Sequence, residues 1–186
     1  MGLFSFGSKR GKVRKMLENE EMQEAVNQAL KDKKVLDALI ELLDDKVPGI
    51  KGDSLLILTQ VMEIDKKKVK GYIDRLILKV MEVSKTRNPY VKENSMILAY
   101  KIAQEFPEDV MKRKEEITKS LDTLLEEGDK NDKAFALLMI KQLELKELIP
   151  KVEELMEVQD KVLLPFEGYK WVPLGDIAKE VLEGLK

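Results

Sequence analysis

A repetition inside the chain most narrows what it can fold into. Pro48-Gly-Ile50-Lys51-Gly-Asp-Ser54-Leu55 aligns with Pro89-Tyr-Val91-Lys92-Glu-Asn-Ser95-Met96 at an offset of 41 residues without a gap, and a second step of 41 reaches Lys133, Ala136 and Leu137. A fourth copy needs an adjustment, because Ala178 stands 42 residues after Ala136 and a long loop precedes it. Around these anchors apolar residues recur at spacings of three and four, and no long stretch alternates apolar with polar, so the periodicity is that of helices. Stripes run through Val35–Leu43, Ile50–Met62, Ile73–Met81, Val91–Phe106, Ile117–Leu125, Ala136–Leu143, Leu148–Met156 and Ile177–Leu185. They predict helices in four pairs. A further helix is expected from about Val13 to Leu30, on Met16, Leu17, Met22, Ala25, Val26, Ala29 and Leu30.

The punctuation agrees with this division. Pro48, Pro89, Pro107 and Pro150 fall at or near the proposed helix starts, where a missing backbone N–H leaves no bond unmade. Asn88 before Pro89 combines an N-cap side chain with a residue preset to helical φ. A single helical pair cannot bury both of its apolar faces, so such a chain gains stability by stacking neighbours, and its ends need covers. The helix from Val13 is placed to cover the first pair, and the segment 158–173 the last.

Pro48-x-Ile50-Lys51-x-x-Ser54 and Pro89-x-Val91-Lys92-x-x-Ser95 resemble the Pro-x-Val-Arg-x-x-Ala opening of the second helix in HEAT repeats, with Lys for Arg. Leu148-Ile-Pro150-x-Val152-x-x-Leu155 and Gly175-Asp-Ile-Ala178-x-x-Val-Leu182 look similar, so the resemblance covers roughly residues 33–186. It implies an all-α fold, a right-handed α-α superhelix of about four helical hairpins plus an N-terminal helix. Residues 13–186 would be a single repeat domain and 1–12 a flexible basic arm. The family also sets an acidic residue six positions before the basic one, in a ladder: Asp45 precedes Lys51 and Glu127 precedes Lys133, whereas Thr86 breaks the pattern for Lys92. An exposed ladder of this kind sets register more than stability, each pair contributing about 0–1 kcal/mol.

Composition limits the chemistry. The 186 residues include no His and no Cys, which excludes thiol and imidazole catalysis, disulfides and the usual zinc and haem ligand sets. Lys and Arg number 33 against 35 Asp and Glu, and this near balance argues against gripping nucleic acid with the whole surface. The basic residues near the start follow the apolar ones, the reverse of a secretory signal, and the longest apolar run, Ala134–Ile140, is far too short to cross a bilayer. A soluble, cytoplasmic chain is expected. Richness in Lys and Glu also suits a thermophile or an AT-rich genome.

Catalysis would rest on carboxylates, Lys, Tyr or a bound magnesium ion, and the acidic clusters Glu20/Glu21/Glu24, Asp44/Asp45, Glu115/Glu116 and Glu153/Glu154/Glu157 read as solvated helix faces. Asp129-x-Asn131 fails as a calcium loop, since Lys133 takes the next ligand position and Ile140 that of the closing Glu. Gly2–Lys9 fails as a phosphate loop because Ser and Lys are transposed, and as a myristoylation signal because Phe6 replaces Ser or Thr. Lys66, Lys67, Lys68 and Lys70 read as a solvated turn. No cofactor and no metal site is expected.

Two segments carry interaction chemistry. Leu3, Phe4 and Phe6 precede Lys9, Arg10, Lys12, Arg14 and Lys15, so the first fifteen residues hold five positive charges and no acid. Apolar anchors followed by basic residues suit weak peripheral contact with an anionic membrane or an acidic partner, and the alternative is a solubilising arm. Near the other end, Phe166, Tyr169 and Trp171 place three aromatics in six residues between Pro165 and Pro173. They form either a protein-binding hot spot or a cap on the terminal helical pair. The expectation that follows is a non-catalytic intracellular scaffold or adaptor that binds a protein partner through HEAT-like repeats. The alternatives are a membrane-proximal tether, and a nucleic-acid-binding protein or enzyme on the same scaffold, as in alkylpurine DNA glycosylases and bilin lyases. The sequence does not set the oligomeric state.

Overall fold

Each apolar stripe lies on helical backbone or on the turn closing it. The structure, a computed structural model, describes residues 8–165 and 170–186, and its contacts gather the chain into two compact units, 1–101 and 102–186. The first unit holds α1 (Lys9–Glu18), α2 (Met22–Lys31), α3 (Lys33–Glu41), α4 (Pro48–Asp65), α5 (Ile73–Val83) and most of α6 (Pro89–Glu105). A 3-10 turn, Leu42–Asp44, extends α3, and two more, Lys66–Lys68 and Lys70–Tyr72, join α4 to α5. The second unit holds the end of α6, then α7 (Pro107–Val110), α8 (Lys114–Glu127), α9 (Lys130–Leu143), α10 (Ile149–Glu153) and α11 (Leu174–Leu185). Pro48, Pro89 and Pro107 open their helices and Pro150 is second in its own. The Asn88 carboxamide oxygen accepts from the Val91 N–H at 3.1 Å, the expected cap. Among the described residues no helix is long and apolar enough to cross a membrane.

Two features depart from the expectation. The helix expected from Val13 to Leu30 is two helices, and the first begins at Lys9, inside the stretch assigned to the arm, because the Ser8 hydroxyl accepts from the Gly11 N–H at 3.0 Å. The break comes at Glu20, left-handed at φ 59°, where the Glu20 and Glu21 N–H groups turn back onto the Leu17 and Met16 carbonyls. That is the Schellman closure usually built on Gly, and Glu gave no signal for it. Glu144, at φ 53°, closes α9 in the same way onto Lys141 and Ile140. The second departure is an antiparallel ribbon of β1 (Lys161–Leu164) and β2 (Lys170–Pro173) within an otherwise helical chain.

The 41-residue offset is written into burial as well as sequence. Ile50, Ser54, Leu55, Ile57, Leu58 and Val61 are buried, and so are Val91, Ser95, Met96, Leu98, Ala99 and Ile102, each 41 residues on. The turns before the two proline-led helices match too. An Asp45 carboxylate oxygen accepts from the Val47 N–H at 2.9 Å, and the Thr86 hydroxyl accepts from the Asn88 N–H at 3.1 Å. Asp and Thr share this ability to fold a turn onto the N–H two residues ahead. Thr86, which reads in the sequence as a break in an acid–base ladder, therefore preserves the turn.

Side-chain ties fix the direction of neighbouring helices in the first unit. Asp37 accepts from the Tyr72 hydroxyl at 2.6 Å and Asp44 from the Lys79 ammonium at 2.7 Å, an offset of 35 at both ends. Asp53 accepts from the Tyr90 hydroxyl at 2.5 Å, and Glu63 pairs with Lys101 at 3.5 Å, offsets of 37 and 38. Ten residues of helix span about 15 Å, so ties that advance together along both partners require the helices to run side by side in one direction. α5 thus follows α3, and α6 follows α4. The Tyr90 ring lies against Gly52, where any Cβ would collide with it.

In the second unit α9 is the central rod. Seven consecutive residues, Ala134–Ile140, are buried, because α8, α11 and β1 all pack on it. Lys114 to Glu147 at 3.0 Å and Lys151 to Asp122 at 2.6 Å advance together, so the α10 segment runs alongside α8 in the same direction. Gly175 permits the entry into α11, since a Cβ there would strike the Met156 carbonyl, and its N–H donates to Val158 at 2.9 Å.

Candidate functional site

The basic residues near the start occupy α1, whose apolar face buries Val13 and Leu17. Arg14 lies beside that face and reaches Asp45, Nε to Oδ2 at 2.8 Å and Nη2 to Oδ1 at 3.2 Å, and it also pairs with Glu18. Asp45 is 8% exposed. The Arg14 hydrogen bond, together with the Val47 N–H and the charge of Arg10, holds its carboxyl below the usual carboxylate range against the opposing effect of burial. Lys9 pairs with Asp32 at 3.3 Å. Arg10, Lys12 and Lys15 are exposed, and among the described residues they form no ion pair. Leu3, Phe4 and Phe6 lie outside the described residues.

The acid–base ladder is corrected by this arrangement. Asp45 takes Arg14 in place of Lys51, because α1 delivers a guanidinium in bidentate geometry directly onto the carboxylate. Among the described residues Glu127 and Lys133 form no ion pair with each other. Lys92 sits in the first turns of α6.

An open groove of ≈ 520 Å³ lies along α8, lined by Lys114, Glu115, Thr118, Lys119, Asp122 and Glu147. Three of its charged groups are paired, Lys114 with Glu147 and Asp122 with Lys151. Glu147 is held below its usual range first by the Lys114 hydrogen bond, and Lys151, which is not part of the lining, has Asp122 at 2.6 Å and Glu126 at 2.5 Å. Those two carboxylates push the Lys151 ammonium up to about 12, away from the free amine that a nucleophilic lysine needs. Burial and the Asp37 hydrogen bond push the Tyr72 phenol up to about 12, and burial and Asp53 push Tyr90 up as well. These shifts favour the unreactive form of each group. Among the described residues no cluster of acidic side chains is arranged to hold a metal ion.

At the other end, the ribbon determines where the aromatic segment points. Val162 and Leu164 are buried on one face of β1, and the register sets Leu163 opposite Trp171 and Lys161 opposite Pro173 on the other. Trp171 is 64% exposed, with the Lys130 ammonium 5.9 Å from its ring centroid. Period-two alternation explains this: with Val162 and Leu164 turned inward, Leu163 and its cross-strand partner must turn out. Val162 and Leu164 are buried in the strand that packs on α9, while Trp171, one of the three rings expected either to bind a partner or to cap the terminal pair, faces solvent. Phe166 and Tyr169 lie outside the described residues. Sequence reasoning missed Leu163, Lys130 and Lys161 as neighbours of Trp171, because Lys161-Val-Leu-Leu164 runs three apolar residues together and carries no polar–apolar alternation to mark the strand faces. No protein-family model and no curated protein matches the sequence.

Proposed function

We propose that the chain is a non-catalytic intracellular adaptor, a HEAT-like stack of helical hairpins that binds a protein partner. The observation that supports this reading is the pair of matched ties, Asp37–Tyr72 with Asp44–Lys79 and Asp53–Tyr90 with Glu63–Lys101, which run α5 along α3 and α6 along α4 in one direction, as successive first and second helices of a stack would run. Helical pairs repeated by translation present a row of equivalent helices, a surface on which a partner contacts several repeats at once. The lack of His and Cys supports a binding role, as do the ion pairs that engage Lys114, Glu147 and Asp122 of the α8 groove.

Exposed Arg10, Lys12 and Lys15 on α1 favour a second reading, a membrane-proximal tether, which is compatible with the first. A nucleic-acid enzyme on this scaffold is less well supported, with five Arg in the chain and the central acids paired to lysines. The adaptor reading is tested by immobilising the full chain and capturing from lysate of the source organism with quantitative mass spectrometry. Recovery of one protein at near-stoichiometric yield supports it. Repeated capture with no stoichiometric partner overturns it.

A further inference from the structure

The ribbon has a chemistry that the helices lack. In an antiparallel pair, opposed residues alternate between those that exchange hydrogen bonds and those that do not. The Leu174 N–H donates to the Asp160 carbonyl at 2.8 Å, so in the constant register the bonded pairs are Val162 with Val172 and Leu164 with Lys170. Leu163 with Trp171, and Lys161 with Pro173, are then the non-bonded pairs. Side chains of non-bonded pairs stand closest together, about 4.5 Å between Cα atoms, so Leu163 and Trp171 form one continuous apolar plate on the outward face.

Alternation also decides where the main chain points. At non-bonded positions N–H and C=O aim away from the partner strand, so Lys161 and Leu163 direct two donors and two acceptors to the outer edge of β1. Among the described residues these groups have no hydrogen-bond partner. The outer edge of β2 is blunted, because Pro173 has no N–H to offer. β1 therefore has the edge on which another strand can pair, with the Leu163–Trp171 plate beside it.

The plate itself is flanked by lysine. Lys130 stands over the Trp171 ring and Lys161 shares its face, and among the described residues neither forms an ion pair. The four outward residues, Lys161, Leu163, Trp171 and Pro173, include no acid. Asp129 and Asp132, next to Lys130, are engaged in the capping box that opens α9, each side chain accepting from the other's N–H at 2.8 and 3.0 Å.

We propose that the outward face and open edge of β1 form a docking site for an extended acidic segment of a partner protein, which pairs as an added strand and rests an apolar side chain on Trp171. This deepens the adaptor reading and rests on it only for the idea that the partner is a protein. Main-chain pairing suits a peptide, since a nucleic acid has no matching row of amide donors and acceptors.

The test uses the full chain and a fluorescein-labelled, end-blocked octapeptide alternating Glu with Leu, with binding read by anisotropy. Controls are the same peptide with Lys for Glu, a version N-methylated at alternate residues, and single-stranded oligouridylate. Trp171 is the sole tryptophan, so its emission reports the site directly. The acidic peptide is expected to bind and to shift that emission to the blue. Trp171→Ala should weaken binding about tenfold and Trp171→Phe should restore most of it, as for an interface anchor. Lys130→Gln should weaken binding about threefold and flatten its salt dependence. Equal binding of the Lys or N-methylated peptide, no loss in Trp171→Ala, or tighter binding of oligouridylate would overturn the proposal. If the peptide fails while lysate capture returns the same partner to wild type and Trp171→Ala alike, the docking site falls and the adaptor reading stands. If the peptide binds and capture returns nothing, the adaptor reading falls and the site stands.

Discussion

α4 and α9 are both buried nearly all round, yet they are covered by different means. α4 is surrounded within its unit by α1, α2 and α3, and α9 by α8, α11 and a strand. A helical cover turns a whole apolar stripe inward, whereas a strand must turn every second residue out. Hence the helical covers at the α4 end leave their charged residues to solvent, while the ribbon leaves Trp171 there with the half-buried Leu163 beside it. The difference between these two covers is the structural basis for assigning recognition to the ribbon.

The largest expected effects test whether the two rods are equivalent. Phe135→Ala and Leu58→Ala each empty a fully buried site, and each should lower unfolding free energy by about 3–5 kcal/mol in urea titrations. A loss below about 1 kcal/mol at either position would mean that its rod is not enclosed.

The two close-approach glycines sharpen the contrast. Gly175→Ala drives a methyl into the Met156 carbonyl, which is backbone and cannot yield, and should cost about 2–3 kcal/mol. Gly52→Ala meets only the Tyr90 ring, a half-exposed side chain that can swing away, and should cost less than about 1 kcal/mol. Comparable losses would show that Tyr90 is held as firmly as main chain.

Much of this was legible in the sequence, for identifiable reasons. The stripes, the proline-led starts and the Asn88 cap are local signals, and they appear where expected except at the end of Leu148–Met156, where the helix stops at Glu153 and Leu155 and Met156 lie in turns. The Glu20 break was not legible, since left-handed closure gives a sequence signal only when Gly or Asn fills it. Nor was the partner of Asp45: the spacing to Lys51 is a property of sequence, but Arg14 is 31 residues away and only α1 packing brings it close. Trp171 stood out by type, whereas its outward orientation depends on a register that one residue of slip would reverse.

The two kinds of ion pair should also differ in their response to pH. Asp45 has its carboxyl lowered by Arg14, so its contribution is complete above the ordinary carboxylate range and is lost as pH falls below about 4 through the native value. Asp45→Asn should cost about 1–3 kcal/mol at neutral pH and flatten the acid limb of the stability curve. Lys151→Gln should lower the neutral midpoint less than Asp45→Asn does, because its pairs with Asp122 and Glu126 are partly exposed and screened by solvent. The lysine is raised from 10.5 to about 12, so its contribution is present at neutral pH and is lost only as pH rises through that range.

The smallest effect is a gain. Glu20→Gly and Glu144→Gly relieve left-handed backbone at the ends of α1 and α9, and each should stabilise by about 0.5–1 kcal/mol in chemical denaturation. A loss at either position would show that the Glu side chain does more there than tolerate the turn.

Cross-linking of engineered cysteine pairs tests the translational stacking most directly, since the chain has no native Cys to compete. Asp53→Cys with Tyr90→Cys, and Glu63→Cys with Lys101→Cys, should both be bridged by a bismaleimide spanning about 10 Å, the separation of packed helix axes. The crossed pairs, Asp53→Cys with Lys101→Cys and Glu63→Cys with Tyr90→Cys, should remain open. Bridging of the crossed pairs in place of the matched ones would mean that α4 and α6 run in opposite directions, and the stacked-hairpin account would be wrong.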